Sequence, residues 1–318
     1  MINRRHFLWS TALALSTCKS QKPSEAPAAL PPTQPPSSQT QSTSAPKTAF
    51  IAEWRDLSFA KTAESPSEQR ALVLVPKEPA KAPLLVALHG YGESRRGLEF
   101  GAKGWRDQYE LDRVHGRLLA PPLVLADSKH LETPERLKAI NASLQKNKYE
   151  GIVIACPYTP SLPDKSPKGA EEFSEFVRQQ LLPKVQSETG CLVDRANTGI
   201  NGVSMGGRLA LLLGFAHPEV FGVIGTMQAA MKKNETPLFV GLAKKAYKRA
   251  PFLLRLVSSE DDPFLEAMSE FHEQLTSAKI PHEFYVTPGP HDYIWNQGPG
   301  AIEMVMWHER VQRGFPAP

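Results

Sequence analysis

The run Gly202-Val203-Ser204-Met205-Gly206 constrains this chain more than any other. It follows a strand-like segment, Asn197 to Asn201, and precedes a helix-like one, Gly207 to Leu213. A serine at such a strand-to-helix turn sits on a sharp, strained bend that lifts its hydroxyl above the edge of a sheet. Glycine is needed two residues before and two after, because a side chain at either place would collide as strand and helix approach. The pentapeptide by itself could be an ordinary tight turn; with these flanks it marks Ser204 as a nucleophile.

Around it, short apolar runs alternate with helical patterns from about residue 50 onward. The strands are read near 53–58, 71–76, 84–88, 151–155, 198–201, 223–226, 253–257 and 284–286. Their apolar residues are continuous rather than alternating, which indicates strands covered on both faces. Helices are expected at 134–146, 171–188, 205–216, 263–278 and 301–312. This order gives a single α/β domain with a mostly parallel central sheet and helices on both faces. The first two strands are close enough to form an antiparallel edge hairpin. Residues 93–148 form a long excursion, which fits either a wall of a substrate pocket or a packed structural layer.

A serine hydroxyl is a poor nucleophile until a base takes its proton, and the base needs a carboxylate to fix its tautomer. The chain order expected is serine, acid, histidine, each following a strand. After the strand 253–257 come Ser258-Ser259-Glu260-Asp261-Asp262-Pro263. Asp262 is the first choice, because Asp-Pro directly opens the next helix, with Asp261 as the alternative. Helix capping alone would also explain an acid here. The base is His291, in the Pro- and Gly-rich loop after the last strand. His272, His282 and His308 are expected at the surface. The oxyanion of a tetrahedral intermediate needs two backbone N–H groups. Met205 supplies one, and Tyr91, in Leu88-His89-Gly90-Tyr91-Gly92, supplies the other. His89 either orients that loop or is a satisfied core residue.

With these residues placed, the chain from 50 to 318 resembles the α/β-hydrolase superfamily. Gly202 to Gly207, together with Ala216-His217-Pro218-Glu219-Val220-Phe221, resembles its putative-esterase branch, which includes esterase D-like enzymes, feruloyl esterases and mycolyltransferases. Gly289-Pro290-His291-Asp292-Tyr293-Ile294-Trp295 is similar to that branch's Gly-Gly-His-Asp-x-x-x-Trp, with Pro290 in place of the second glycine and Trp295 one position early. The resemblance implies a serine esterase acting on carboxylic esters of small molecules or surface polymers, without metal or cofactor. Transfer of the acyl group to a sugar or lipid alcohol is the alternative, and an inactive surface-binding protein a further one.

Net charge is +4, and no basic run is dense enough for a nucleic-acid track. Residues 1–18 read as an export signal. Asn3-Arg4-Arg5-His6-Phe7-Leu8 resembles a twin-arginine motif, followed by a short apolar stretch. Leu15-Ser16-Thr17-Cys18 resembles a bacterial lipobox, with Thr17 departing from the usual small residue, so Cys18 is either a membrane anchor or a chance residue near a cleavage site. Residues 19–49 are rich in Pro, Ser, Thr and Gln, and read as a disordered linker. The expected location is therefore outside the bacterial cytoplasm: periplasmic, lipid-anchored or secreted. Cys156 and Cys191 fall at opposite ends of strands, too far apart for a disulfide, and read as free.

Overall fold

In the computed structural model, eight strands form one sheet: β1 (Glu53–Phe59), β2 (Gln69–Val75), β3 (Leu84–Leu88), β4 (Val153–Pro157), β5 (Thr198–Gly202), β6 (Val223–Met227), β7 (Leu253–Asp261) and β8 (Glu283–Pro290). The residues described are 52–62 and 67–318. The export segment 1–18, with Arg4, Arg5 and Cys18, and the linker 19–49 lie outside them. The spatial order is β1-β2-β4-β3-β5-β6-β7-β8. β1 pairs antiparallel with β2, β2 pairs antiparallel with β4, and β3 to β8 run parallel with β4. The expected edge hairpin and mostly parallel sheet are both present.

Continuous apolar strands follow from coverage on both faces. On β3, Leu84, Val86 and Leu88 enter one core, and Leu85 and Ala87 the other. The first core is closed by the helices Met205–Ala216, Thr236–Arg249 and Leu265–Ser277, together with the helical segment 171–189. The second is closed by Leu111–Leu119, Pro134–Lys146 and Ala301–Gln312. Trp105, Tyr109 and Leu118 of the 93–148 excursion are buried in that second core, so it is a packed layer. The same excursion also lines the cavity beside Ser204 with Glu93 and Tyr109.

Several elements differ from the sequence reading. The 171–188 helix contains a wider π turn at Val177–Leu181. Pro183 stands two residues beyond; it has no N–H, and its ring would clash with the carbonyl four residues back, so the helix widens there. The helix expected at 263 starts at Leu265, because Asp262 and Pro263 form a turn closed by Leu265 N–H on the Asp262 carbonyl. β7 and β8 run four residues further than read, since Ser258, Ser259 and Thr287 are buried polar residues within the sheet. His308 is not at the surface. It is fully buried, because Gly199 and Gly225 leave room for its ring, and it hydrogen-bonds Asn201 at 3.1 Å. His272 and His282 are partly exposed and bond to each other at 2.8 Å. Cys156 and Cys191 are free and buried, as read. Among the described residues, no helix is long and apolar enough to cross a membrane.

A tight backbone crossing lies where β5 turns into its helix. A Cβ at Gly206 would sit 2.3 Å from the Leu88 carbonyl oxygen, and one at Gly202 would sit 2.4 Å from the Gly206 carbonyl. These obstacles are main chain and cannot swing aside. Gly206→Ala should therefore cost on the order of 1–3 kcal/mol of stability, the usual range for overpacking. Denaturant unfolding measures it, and a stability equal to the unsubstituted protein would contradict the crossing.

Candidate active site

Ser204 sits at the top of that crossing with φ 57° and ψ −118°, a conformation that side chains other than glycine rarely adopt. Its neighbours hold it there. Ser204 N–H donates to the Met227 carbonyl at 2.9 Å, and its own carbonyl accepts from Arg208 and Ala230 N–H at 3.0 and 2.9 Å. Val203 N–H donates to the Leu88 carbonyl at 3.1 Å. The serine is thus pinned between the ends of β3 and β6.

The structure brings the three residues read from the sequence together. Ser204 Oγ lies 3.0 Å from His291 Nε2, and His291 Nδ1 lies 2.9 Å from Asp262 Oδ1. A carboxylate can only accept, so Nδ1 carries the proton and Nε2 is free to accept from the serine hydroxyl. The Asp262 side chain is fully shielded from solvent. Its oxygens are also held by Phe264 N–H at 3.0 Å and by Ser258 Oγ–H at 2.6 Å. Asp262 therefore closes the turn into the next helix and holds His291 as well. The neighbouring Asp261 is exposed at the end of β7.

The loop after β3 is fixed by His89, which is fully buried. Thr159 N–H donates to its Nε2 at 2.8 Å, so the ring proton is on Nδ1 and is given to the Gly90 carbonyl at 2.9 Å. Burial lowers the His89 pKa to about 4, against which the Gly90 bond acts in the opposite sense. The ring stays neutral, and His89 is a satisfied buried residue whose two bonds also hold the loop, so the two readings coincide. A peptide unit is planar and trans, so turning the Gly90 carbonyl toward His89 aims Tyr91 N–H the other way. Gly90 stands beside the serine: a Cβ there would be 3.8 Å from Ser204 Cβ. Tyr91 and Met205 are each the first residue of a helix, where the N–H has no partner within the helix.

Two cavities meet at Ser204 and His291. One, of about 510 Å³, has Tyr91 and Met205 in its wall and apolar depth from Leu162, Leu209, Leu212 and Phe264. The other, of about 350 Å³, is the more polar of the two and is bounded by Glu93, Tyr109, Tyr293 and Asn296. Sequence reasoning missed Ser258 and Gln228. Ser258 was visible as a hydroxyl four residues before Asp262. Gln228 is buried with φ 46°, and its Nε2 donates to the Pro290 carbonyl, just before His291, at 3.1 Å; no spacing in the sequence singles it out. Among the described residues, no group of three or more His, Cys, Asp or Glu side chains could hold a metal ion.

The family described as "Putative esterase" matches residues 149–298, a span that includes Ser204, Asp262 and His291. A ferulic acid esterase superposes with a TM-score of 0.61 at 18% identity, covering 82% of this chain and 100% of that one. An S-formylglutathione hydrolase from Agrobacterium tumefaciens gives 0.58 at 16% identity, covering 83% and 97%. The enterobactin esterase of Shigella flexneri gives 0.51 at 15% identity, covering 79% of this chain and 59% of that one. At such identities the shared property is the α/β-hydrolase fold.

Burial of His89 carries a sign that can be checked. Its pKa is lower folded than unfolded, so its contribution to stability is complete above about pH 6.5 and is lost as pH falls toward 4. Nitrogen NMR should show His89 as the neutral Nδ1–H tautomer at pH 5.5; a doubly protonated ring at that pH would contradict the buried clamp.

Proposed function

We propose that this chain, a member of the "Putative esterase" family with the α/β-hydrolase fold, is a serine hydrolase that cleaves carboxylic esters through an acyl-enzyme. The observation that carries the proposal is the pair of bonds from Asp262 to His291 and from His291 to Ser204, at 2.9 and 3.0 Å. Ser204 Oγ attacks the ester carbonyl while His291 Nε2 takes its proton. Asp262 stabilises the imidazolium that forms. The N–H groups of Tyr91 and Met205 receive the oxyanion, and His291 returns the proton to the leaving alcohol. Water then enters by the same base and releases the acid.

The shape of the site supports a division of the substrate. The apolar cavity of about 510 Å³ is suited to an aromatic or aliphatic acyl group, and the more polar one to the alcohol side. Two solved relatives are a ferulic acid esterase and an enterobactin esterase, in keeping with an ester substrate here. Export through Arg4 and Arg5, with lipid attachment at Cys18, is part of the same proposal and rests on residues 1–18 of the sequence.

Ser204→Ala should lower hydrolysis of p-nitrophenyl esters by at least ~10⁴-fold, because the three residues act as a unit. A fluorophosphonate probe should label the unsubstituted protein and not this variant. Asp262→Asn should impair turnover far more than Asp261→Asn. Near-normal turnover without Ser204 would reject the proposal, and a damaging Asp261→Asn would reject the acid assignment. For export, Cys18→Ala should move the protein from the membrane to the soluble fraction. A protein that is soluble with or without Cys18 carries no lipid.

A further inference from the structure

Glu93 is 1% exposed and lies under the loop that follows β3. Both of its oxygens are taken by tyrosines. Tyr109 Oη–H donates to Oε2 and Tyr293 Oη–H donates to Oε1, each at 2.6 Å. The Tyr109 oxygen in turn accepts Gly90 N–H at 3.2 Å. Tyr293 follows His291 by two residues, and its hydroxyl touches the β3 loop directly: a Cβ at Gly92 would sit 2.9 Å from it. Burial and the neighbouring Glu93 raise both tyrosine pKa values, Tyr109 well above the usual range and Tyr293 to about 12. Both hydroxyls therefore keep their protons and act as donors.

We propose that Glu93 is a positioning residue. Through Tyr109 and Tyr293 it locks the Gly90–Tyr91 peptide, which carries one oxyanion donor, to the loop that carries His291. The inference rests on the serine-hydrolase reading above, since it assigns Tyr91 N–H the same role. Its logic is directional. A carboxylate only accepts hydrogen bonds, so both tyrosines must give it their single proton. Tyr109 is then left with lone pairs alone, and these fix Gly90 N–H. His89 Nδ1–H fixes the Gly90 carbonyl from the other side. With both polar groups of Gly90 held, the next N–H, that of Tyr91, keeps one orientation. The Tyr293 arm makes the same carboxylate register the base against the oxyanion site.

Glu93→Gln tests this with almost no change of shape. The amide brings an NH₂ group that must face one of the two tyrosine oxygens. That tyrosine turns its proton away, and the relay to Gly90 or to the His291 loop breaks. Tyr293→Phe removes one arm only. In each single variant, kcat/KM for p-nitrophenyl acetate should fall ~10–100-fold with KM within about 2-fold, short of the loss expected when an oxyanion donor is removed outright. The double variant should be little worse than either single one, because both cut the same link. Affinity for phenylboronic acid, which forms a tetrahedral adduct on the serine, should fall in parallel with kcat/KM. A role in stability alone would lower Tm without that parallel.

Overturning results are single variants within about 2-fold of the parent in kcat/KM, fully additive losses, or unchanged boronate affinity. Hydrogen exchange of residues 89–94 reads the same lock without turnover. It should quicken in both variants, and unchanged exchange overturns the proposal even if the protein proves to have no esterase activity. Conversely, Ser204-dependent turnover with intact Glu93→Gln kinetics rejects this inference and leaves the hydrolase reading standing.

Discussion

A backbone crossing with no room for a side chain organises this protein. Gly202, Gly206 and the carbonyls of Leu88 and His89 meet at one point, with ideal Cβ distances of 2.3–2.6 Å. Three consequences follow from that contact. The strand-to-helix turn is compressed enough to hold Ser204 at a positive φ, at a cost of about 1–3 kcal/mol. The hydrogen bonds from Ser204 N–H to Met227 and from Val203 N–H to Leu88 hold the bend against that cost. The loop after β3 is drawn against the start of the serine helix, which places Gly90 beside Ser204. Nucleophile and proposed oxyanion donors are therefore set by one steric event rather than by three separate ones.

The polar groups around this point follow a common rule. A buried polar atom without a partner costs about 1–3 kcal/mol, and the two carboxylates and the buried histidine here each avoid that cost. Asp262 has three donors on its two oxygens. His89 is depressed to about 4 and uses both ring nitrogens. Glu93 has one tyrosine per oxygen. Satisfying these three groups leaves them few alternative arrangements, and the same bonds that remove their desolvation cost also hold them in place before any substrate arrives.

Much of this was legible in the sequence, and the reasons for the exceptions are physical. The serine turn, His291 and the helix bounds 134–146, 205–216 and 301–312 were readable because each depends on local spacing. Asp262 was separable from Asp261 because only Asp-Pro suits the turn that opens a helix. The helix Thr236–Arg249 was not readable. Its buried seam is Phe239, Ala243 and Ala246, with Gly241 between, and two alanines give a weak apolar signal. Glu93, Gln228 and His308 were also beyond reach. Each is a polar residue whose burial is decided by partners far away in the chain, at separations that no local pattern encodes.

The register of β7 against β8 shows how a departure from a familiar motif can leave the site intact. Arg255 on β7 faces Glu283 on β8, and their side chains pair at 2.7 Å. Arg255 also binds Glu303, which is held by Arg136 at 2.6 Å, and the Tyr285 ring lies 4.4 and 4.6 Å from the two guanidinium groups. A buried ion cluster of this kind adds little net stability, but a slip of one residue would leave charges unpaired, so it supports a single register. From that pair, Asp262 is seven positions along β7 and His291 eight along β8. The extra residue is absorbed by the register shift between Ser259 and Asp261, opposite Gly289 with φ 114°. Gly289 needs to be glycine there, with Leu131 and Trp295 packed against it. Position 290 has no such need. Pro290 contributes its carbonyl, which accepts from Gln228 Nε2 and Ser259 Oγ, and neither bond requires a proline N–H. The bulge therefore keeps the glycine that turns His291 back toward Asp262, and a proline can stand where a second glycine is usual.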